Sequence, residues 1–236
     1  MAFWPIHDDN PRRWINTPYG TWGLILVCVI VHVWQSGLSP FEEVSTAFSF
    51  GFLPAVIFGH RELDPALVHV STAWSALTYQ FLHGGAWHLI GNMAFMFVFG
   101  DNVEDRCGTV RFIIFYLICG AVAALAHGIT NEMSEAPLIG ASGGVSGILA
   151  AYLILHPTAR ITAITPIFIP LRLPVWAWIG GWFIFQALAS GGGAVNLTGD
   201  KMAFSAAVNA TGGTVTLKSA TAGDAIDLGS GTDAAA

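Results

Sequence analysis

Ser142 stands among glycines in the run Gly140-Ala141-Ser142-Gly143-Gly144-Val145-Ser146-Gly147, at the mouth of an apolar stretch that reaches about His156. A serine hydroxyl can attack a carbonyl carbon when a neighbouring base takes its proton. Glycines cost a helix about 1 kcal/mol each relative to alanine, so a close approach by a substrate or another backbone must require them. Upstream, His88 and Asn92 stand four apart and share one face of a helix. Both can donate hydrogen bonds to an oxygen bearing negative charge. With the backbone N–H of Ser142 they could form an oxyanion hole for the tetrahedral intermediate of acyl transfer. Plainer alternatives exist for each. Gly143, Gly147 and Ala151 recur at every fourth position, which is the small-residue stripe of tight helix packing in lipid. His88 could cap or bridge helices, and Asn92 could bond between them.

The elements that must position these groups are membrane helices. The chain of 236 residues is 54% hydrophobic and 10% charged, with a mean hydropathy of +0.61. Soluble domains carry roughly a quarter charged residues, so the composition predicts an all-α polytopic membrane protein. The formal charge of −6 says little by itself. Cys28, Cys107 and Cys119 have no CxxC spacing and support neither a disulfide framework nor a zinc site. No cleavable signal peptide is expected: the first apolar run follows a polar start with Arg12 and Arg13, and no A-x-A site comes after it.

In order, a leader over 1–19 precedes a membrane domain over 20–190, with spans at about 20–38, 86–100, 112–127, 138–156 and 174–189. Residues 39–82 read as a long loop at the interface, a level that suits Trp74 and Tyr79. A charged turn is expected from Asp101 to Arg111. If spans alternate from a cytoplasmic leader, Arg12, Arg13, Arg106, Arg111, Arg160 and Arg172 fall on the cytoplasmic side, against Arg61 alone in the loops opposite. That puts Ser142, His83 and His88 at one level near the other face. After Ser190 the character changes. Residues 191–236 are rich in Gly, Ala, Thr and Ser, with short Val/Thr/Leu alternations that predict strands or a disordered tail, foreign-looking beside the membrane domain.

The run His83-Gly84-Gly85-Ala86-Trp87-His88-Leu89-Ile90-Gly91-Asn92, followed about fifty residues on by Gly140-Ala141-Ser142-Gly143, resembles the rhomboid family of intramembrane serine proteases over residues 15–189. The resemblance implies a six-helix core with a water-accessible active site just below the outer surface. It implies Ser142 as nucleophile, His88 and Asn92 as the oxyanion-stabilising pair, and His83, Gly140 and Gly143 in support. The family's general base is a histidine of a sixth helix, in an A-H-x-x-G setting against the glycine stripe of the fourth. Here only five of six helices are expected, and the single histidine after Ser142 is His156. At 1.5 Å per residue it lies about 20 Å down the helix, too far to serve. His127 is on the correct side, but a histidine there more plainly caps a helix end. The general base is therefore unassigned. The stripe of Gly143, Gly147 and Ala151 is expected to lack its partner, leaving a gap beside the fourth helix.

The expected function is an intramembrane serine endopeptidase that cleaves transmembrane segments of membrane proteins, impaired by loss of its base. The alternative is a catalytically inactive relative that binds transmembrane clients. A small transporter or channel fits less well, because no inverted repeat is visible and no acidic residue lies within the spans. The expected partners are transmembrane protein substrates and the lipid bilayer, with no nucleic acid, metal or organic cofactor. The expected location is a bacterial inner membrane, with the N-terminus cytoplasmic.

Overall fold

A computed structural model describes residues 4–164, 170–181 and 184, together with short strands in the C-terminal part. The chain divides into two units, Met1–Gly181 and Trp182–Ala236. In the first, a strand β1 (Trp4–Asp8) precedes helix α1 (Tyr19–Ser36). Three short helices follow, α2 (Pro40–Phe50), α3 (Pro54–Ile57) and α4 (Ser75–Thr78). The long helices α5 (Ala86–Cys107) and α6 (Thr109–Thr130) and then α7 (Ser142–Leu155) complete the bundle. Strands β2 (Arg160–Ile164) and β3 (Pro170–Pro174) come last, and residues 175–181 are helical. Helix α7 packs between α5 and α6, and α1 lies on α5 and α6. By length and composition α1 and α6 could each cross a membrane, and α7 is a shorter apolar helix.

The described chain is mostly helical, but the expectation of an all-α bundle misses a sheet. β1, β2 and β3 pair antiparallel in that order, with Trp4 opposite Ile164 and Arg160 opposite Pro174. The leader is thus a built part of the unit. The charged turn is also corrected. Asp101 to Cys107 continue α5, and the break falls at Gly108, whose φ of +80° favours glycine.

The acidic end of α5 stays helical and buried because the start of the chain satisfies it. The Glu104 carboxylate accepts hydrogen bonds from the N–H groups of Gly20 and Thr21 (2.8 Å each), from the Thr21 hydroxyl (2.8 Å) and from the Thr109 hydroxyl (2.6 Å). The first amides of a helix have no partner within it, and a carboxylate there also meets the positive end of the α1 dipole. Next door, Asp105 accepts from the N–H groups of Arg13, Trp14 and Ile15 at 3.0, 2.7 and 2.8 Å. Asp8 of β1 accepts from the Tyr152 hydroxyl of α7 (2.6 Å) and the Asn102 amide of α5 (2.8 Å). Burial pushes the Asp8 carboxyl above its ordinary value of 3.8.

The long loop is ordered by its own sequence. Ser39 and Glu42 form a capping box with Pro40 at the first position of α2, where a proline loses no helical bond. Trp74 is exposed, whereas Tyr79 is fully buried and is not the interfacial aromatic its position suggested. In the second unit, Leu197–Gly199 pairs antiparallel with Met202–Phe204, and Leu217–Lys218 with Ala225–Ile226. The rest of the expected tail, and most of the fifth span beyond residue 181, lie outside the described residues.

Candidate active site

Ser142 opens α7, so the amides of the first turn point outward without helical partners, and no side chain caps them. The loop that delivers it is pinned from below. Phe52 and Leu138 exchange backbone hydrogen bonds (3.0 and 2.8 Å), the Ala55 N–H reaches the Ser134 carbonyl (3.0 Å), and the Gly140 N–H reaches the Tyr79 carbonyl (2.9 Å). Gly140 is required twice over. Its φ is +123°, and a Cβ there would sit 2.6 Å from Cε1 and 2.8 Å from Nε2 of His88. The imidazole of His88 is therefore laid against the backbone two residues before Ser142.

His88 lies in the first turn of α5, and Asn92 lies one turn on, buried, donating from Nδ2 to the His88 carbonyl at 3.1 Å. That bond uses one of the two amide hydrogens of Asn92 and leaves the other. His83 stands edge-on to His88 with ring centroids 5.3 Å apart, and His32 of α1 stands edge-on to His83 at 6.5 Å. The backbone N–H of His83 donates to Oε1 of Gln35 (3.0 Å), and its buried Nε2 has no hydrogen-bond partner among the described residues. Burial, helped by the neighbouring His88, holds the His83 imidazole down to about 4, so it is neutral near pH 7.

The three histidines and Asn92 thus converge beside the loop that leads into Ser142. The Ser142 hydroxyl makes no hydrogen bond among the described residues, and the Ser142 carbonyl accepts from the Ser146 hydroxyl at 2.7 Å. His127 lies in the last turn of α6, exposed, and no hydrogen bond joins its ring to Ser142. His156 caps the far end of α7. Among the described residues no three His, Cys, Asp or Glu side chains are grouped as a metal would need.

Two members of the stripe, Gly143 and Gly147, have a partner in α6, which corrects for them the expectation that the stripe was orphaned. A Cβ on Gly143 would meet the Tyr79 hydroxyl at 2.6 Å and Ala123 at 2.8 Å, and one on Gly147 would meet Sγ of Cys119 at 2.4 Å. Gly143 and Gly147 therefore seat α7 on α6, while Ala151, the third member of the stripe, lines a groove further along the helix. Spacing alone signals such a seam but does not name the facing helix. Tyr79, which donates to the Gly120 carbonyl at 2.7 Å while touching the first turn of α7, is the supporting residue that sequence reasoning missed. Its signal was a tyrosine four residues before His83, set there among interfacial aromatics.

The sequence model described as Rhomboid domain matches residues 70–213, more than half of the chain. Among curated proteins, the chain is 28% identical over 191 residues to Rhomboid protease GlpG of Klebsiella pneumoniae, covering 78% of this chain and 62% of that one. To Rhomboid protease GlpG of Salmonella typhi it is 26% identical over 177 residues, covering 74% and 57%. RHOMBOID-like protein 5 of Arabidopsis thaliana is 33% identical over 91 residues, covering 39% of this chain and 29% of that protein. The chain thus spans less than two thirds of the length of each.

Proposed function

This chain belongs to the rhomboid family, which includes serine intramembrane proteases, and from that premise we propose that it is an intramembrane serine endopeptidase acting on transmembrane segments. Ser142 Oγ attacks the carbonyl carbon of a peptide bond in a locally unwound segment. The hydroxyl proton leaves to a base, which passes it to the departing amine as the C–N bond breaks and the acyl-enzyme forms, and water then hydrolyses the acyl-enzyme to release the acid. His88, the free amide hydrogen of Asn92 and the Ser142 N–H stabilise the oxyanion, aided by the positive end of α7. His83, Gly140 and Gly143 support them. The general base is unassigned. The observation that carries this reading is the His88 ring laid on Gly140 at the entrance to Ser142. The proposed spans are the five read from the sequence, with the arginine-bearing end, and so the N-terminus, cytoplasmic in a bacterial inner membrane.

A second reading, a client-binding protein without catalysis, is favoured by the unpartnered Ser142 hydroxyl. The test is cleavage of a reporter transmembrane substrate by the purified chain in liposomes, with Ser142→Ala as control. Cleavage lost in the variant supports the protease. Cleavage seen only after residues 191–236 are exchanged for a helix carrying Ala-His-x-x-Gly identifies a protease scaffold lacking its base. No cleavage in either form supports the binding protein.

A further inference from the structure

At the end of the bundle opposite Ser142, a groove of about 960 Å³ opens between the last turns of α5 and α7 and the start of α6. Its rim carries Arg106 and Arg111, both exposed. Its wall is apolar, with Phe115, Ala151 and Ile154, and Trp14 of the leader stands at its edge. Among the described residues the ion pairs join Arg12 to Asp101, Arg61 to Glu135, Arg172 to Asp9 and His60 to Glu132. Among the described residues neither Arg106 nor Arg111 forms an ion pair within 4 Å, although the Arg106 charge is felt by the neighbouring Asp105. The groove does hold Asp105, but its carboxylate is committed to the three amides of residues 13–15.

We propose that this groove holds an anionic phospholipid, its phosphate bound by Arg106 and Arg111 and an acyl chain lying along Phe115, Ala151 and Ile154. Two guanidinium groups match a phosphate through paired N–H donors. The apolar wall below them selects a lipid over a free phosphate, which would leave that wall empty. Basic pockets between helices at the arginine-rich face are suited to anionic headgroups, and Trp14 stands at the level where aromatic side chains meet headgroups. This inference rests on the membrane reading above, although it concerns a separate site.

The test is lipid retention by the purified full chain in neutral detergent, counted by native mass spectrometry. Phosphatidylglycerol and phosphatidylcholine with the same acyl chains are offered. Retention of phosphatidylglycerol is expected to exceed that of phosphatidylcholine by about tenfold, as charge-assisted paired contacts predict. The preference is expected to vanish in Arg106→Gln/Arg111→Gln and to persist in Arg61→Gln, whose guanidinium is paired elsewhere. Ala151→Trp, which fills the apolar wall and keeps both arginines, is expected to reduce retention; wild-type melting temperatures in the variants confirm that they fold. Equal retention of the two lipids overturns the proposal, as does a preference that survives the double variant, retention unaffected by Ala151→Trp, or full displacement by inorganic phosphate. A chain that stays monodisperse without detergent and retains neither lipid overturns the membrane reading together with the proposal.

Discussion

Replacing Gly140 by alanine tests whether His88 is truly seated against the loop that delivers Ser142. Two costs add. At φ = +123° an alanine is strained whatever its surroundings, by about 1–3 kcal/mol. Its Cβ would also lie 2.6 Å from the His88 ring, and overpacking of that kind costs about 1–3 kcal/mol more. The expected loss is therefore about 2–6 kcal/mol, read by denaturant titration in mixed micelles. Two comparisons separate the terms. Gly108→Ala has a φ of +80° but nothing within 4 Å of its Cβ, so only the backbone cost is expected there. In a His88→Ala background the Gly140→Ala cost is expected to fall by the steric part, a coupling of about 1–3 kcal/mol. Labelling of Ser142 by a fluorophosphonate, if the serine is reactive, is expected to drop in the single variant and not to recover in the double one, because the double lacks the imidazole. An unchanged Gly140→Ala cost in the His88→Ala background would refute the packing on which the site was built.

Glu104→Gln replaces one carboxylate oxygen by an NH₂ that faces the donors of Gly20 or Thr21, and is expected to cost about 2–4 kcal/mol of unfolding free energy in the same titration. Gly147→Ala drives a Cβ into Cys119 and is expected to cost about 1–3 kcal/mol. Adding Cys119→Gly should recover part of it, and full additivity would show that the two residues are not in contact. The Asp8 carboxyl is raised by burial, so the folded state holds its proton more tightly than the unfolded chain. Its contribution is present in full below the ordinary value of 3.8 and is lost as pH rises through the shifted value. Asp8→Asn should therefore flatten the fall in melting temperature above pH 3.8, and an identical pH profile in the variant would exclude this assignment.

The residues of the candidate site were legible because chemistry fixes their types and a helix fixes their spacing. A serine among glycines and a histidine four positions before an asparagine stand out against an apolar background. What was not legible depended on partners distant in sequence. Hydropathy ends the second span near Gly100, yet α5 runs on to Cys107 because Glu104 and Asp105 find amides donated by residues 13–21. No local pattern announces that match. The sheet escaped notice for the same reason: β1 is a five-residue strand containing a proline, and its partner lies beyond all the long helices. The stripe of Gly143 and Gly147 was visible as a stripe, but its facing helix α6 could be named only once Tyr79, Cys119 and Ala123 were seen against it. Tyr79 was misplaced because an aromatic in a proline-broken loop suits a membrane surface as readily as a core.

The clamp of Glu104 on the start of α1 also sets an order on the birth of the molecule. The amide of Gly20 waits for a carboxylate 84 residues further along the chain. At roughly 5–20 residues per second of synthesis, α1 exists for some seconds before its closing partner has been made. During that interval water must serve its first amides. The first helix therefore begins life as a provisional element. It becomes permanent only when the end of α5 arrives, so that a ribosome stalled before residue 104 would leave α1 without its anchor.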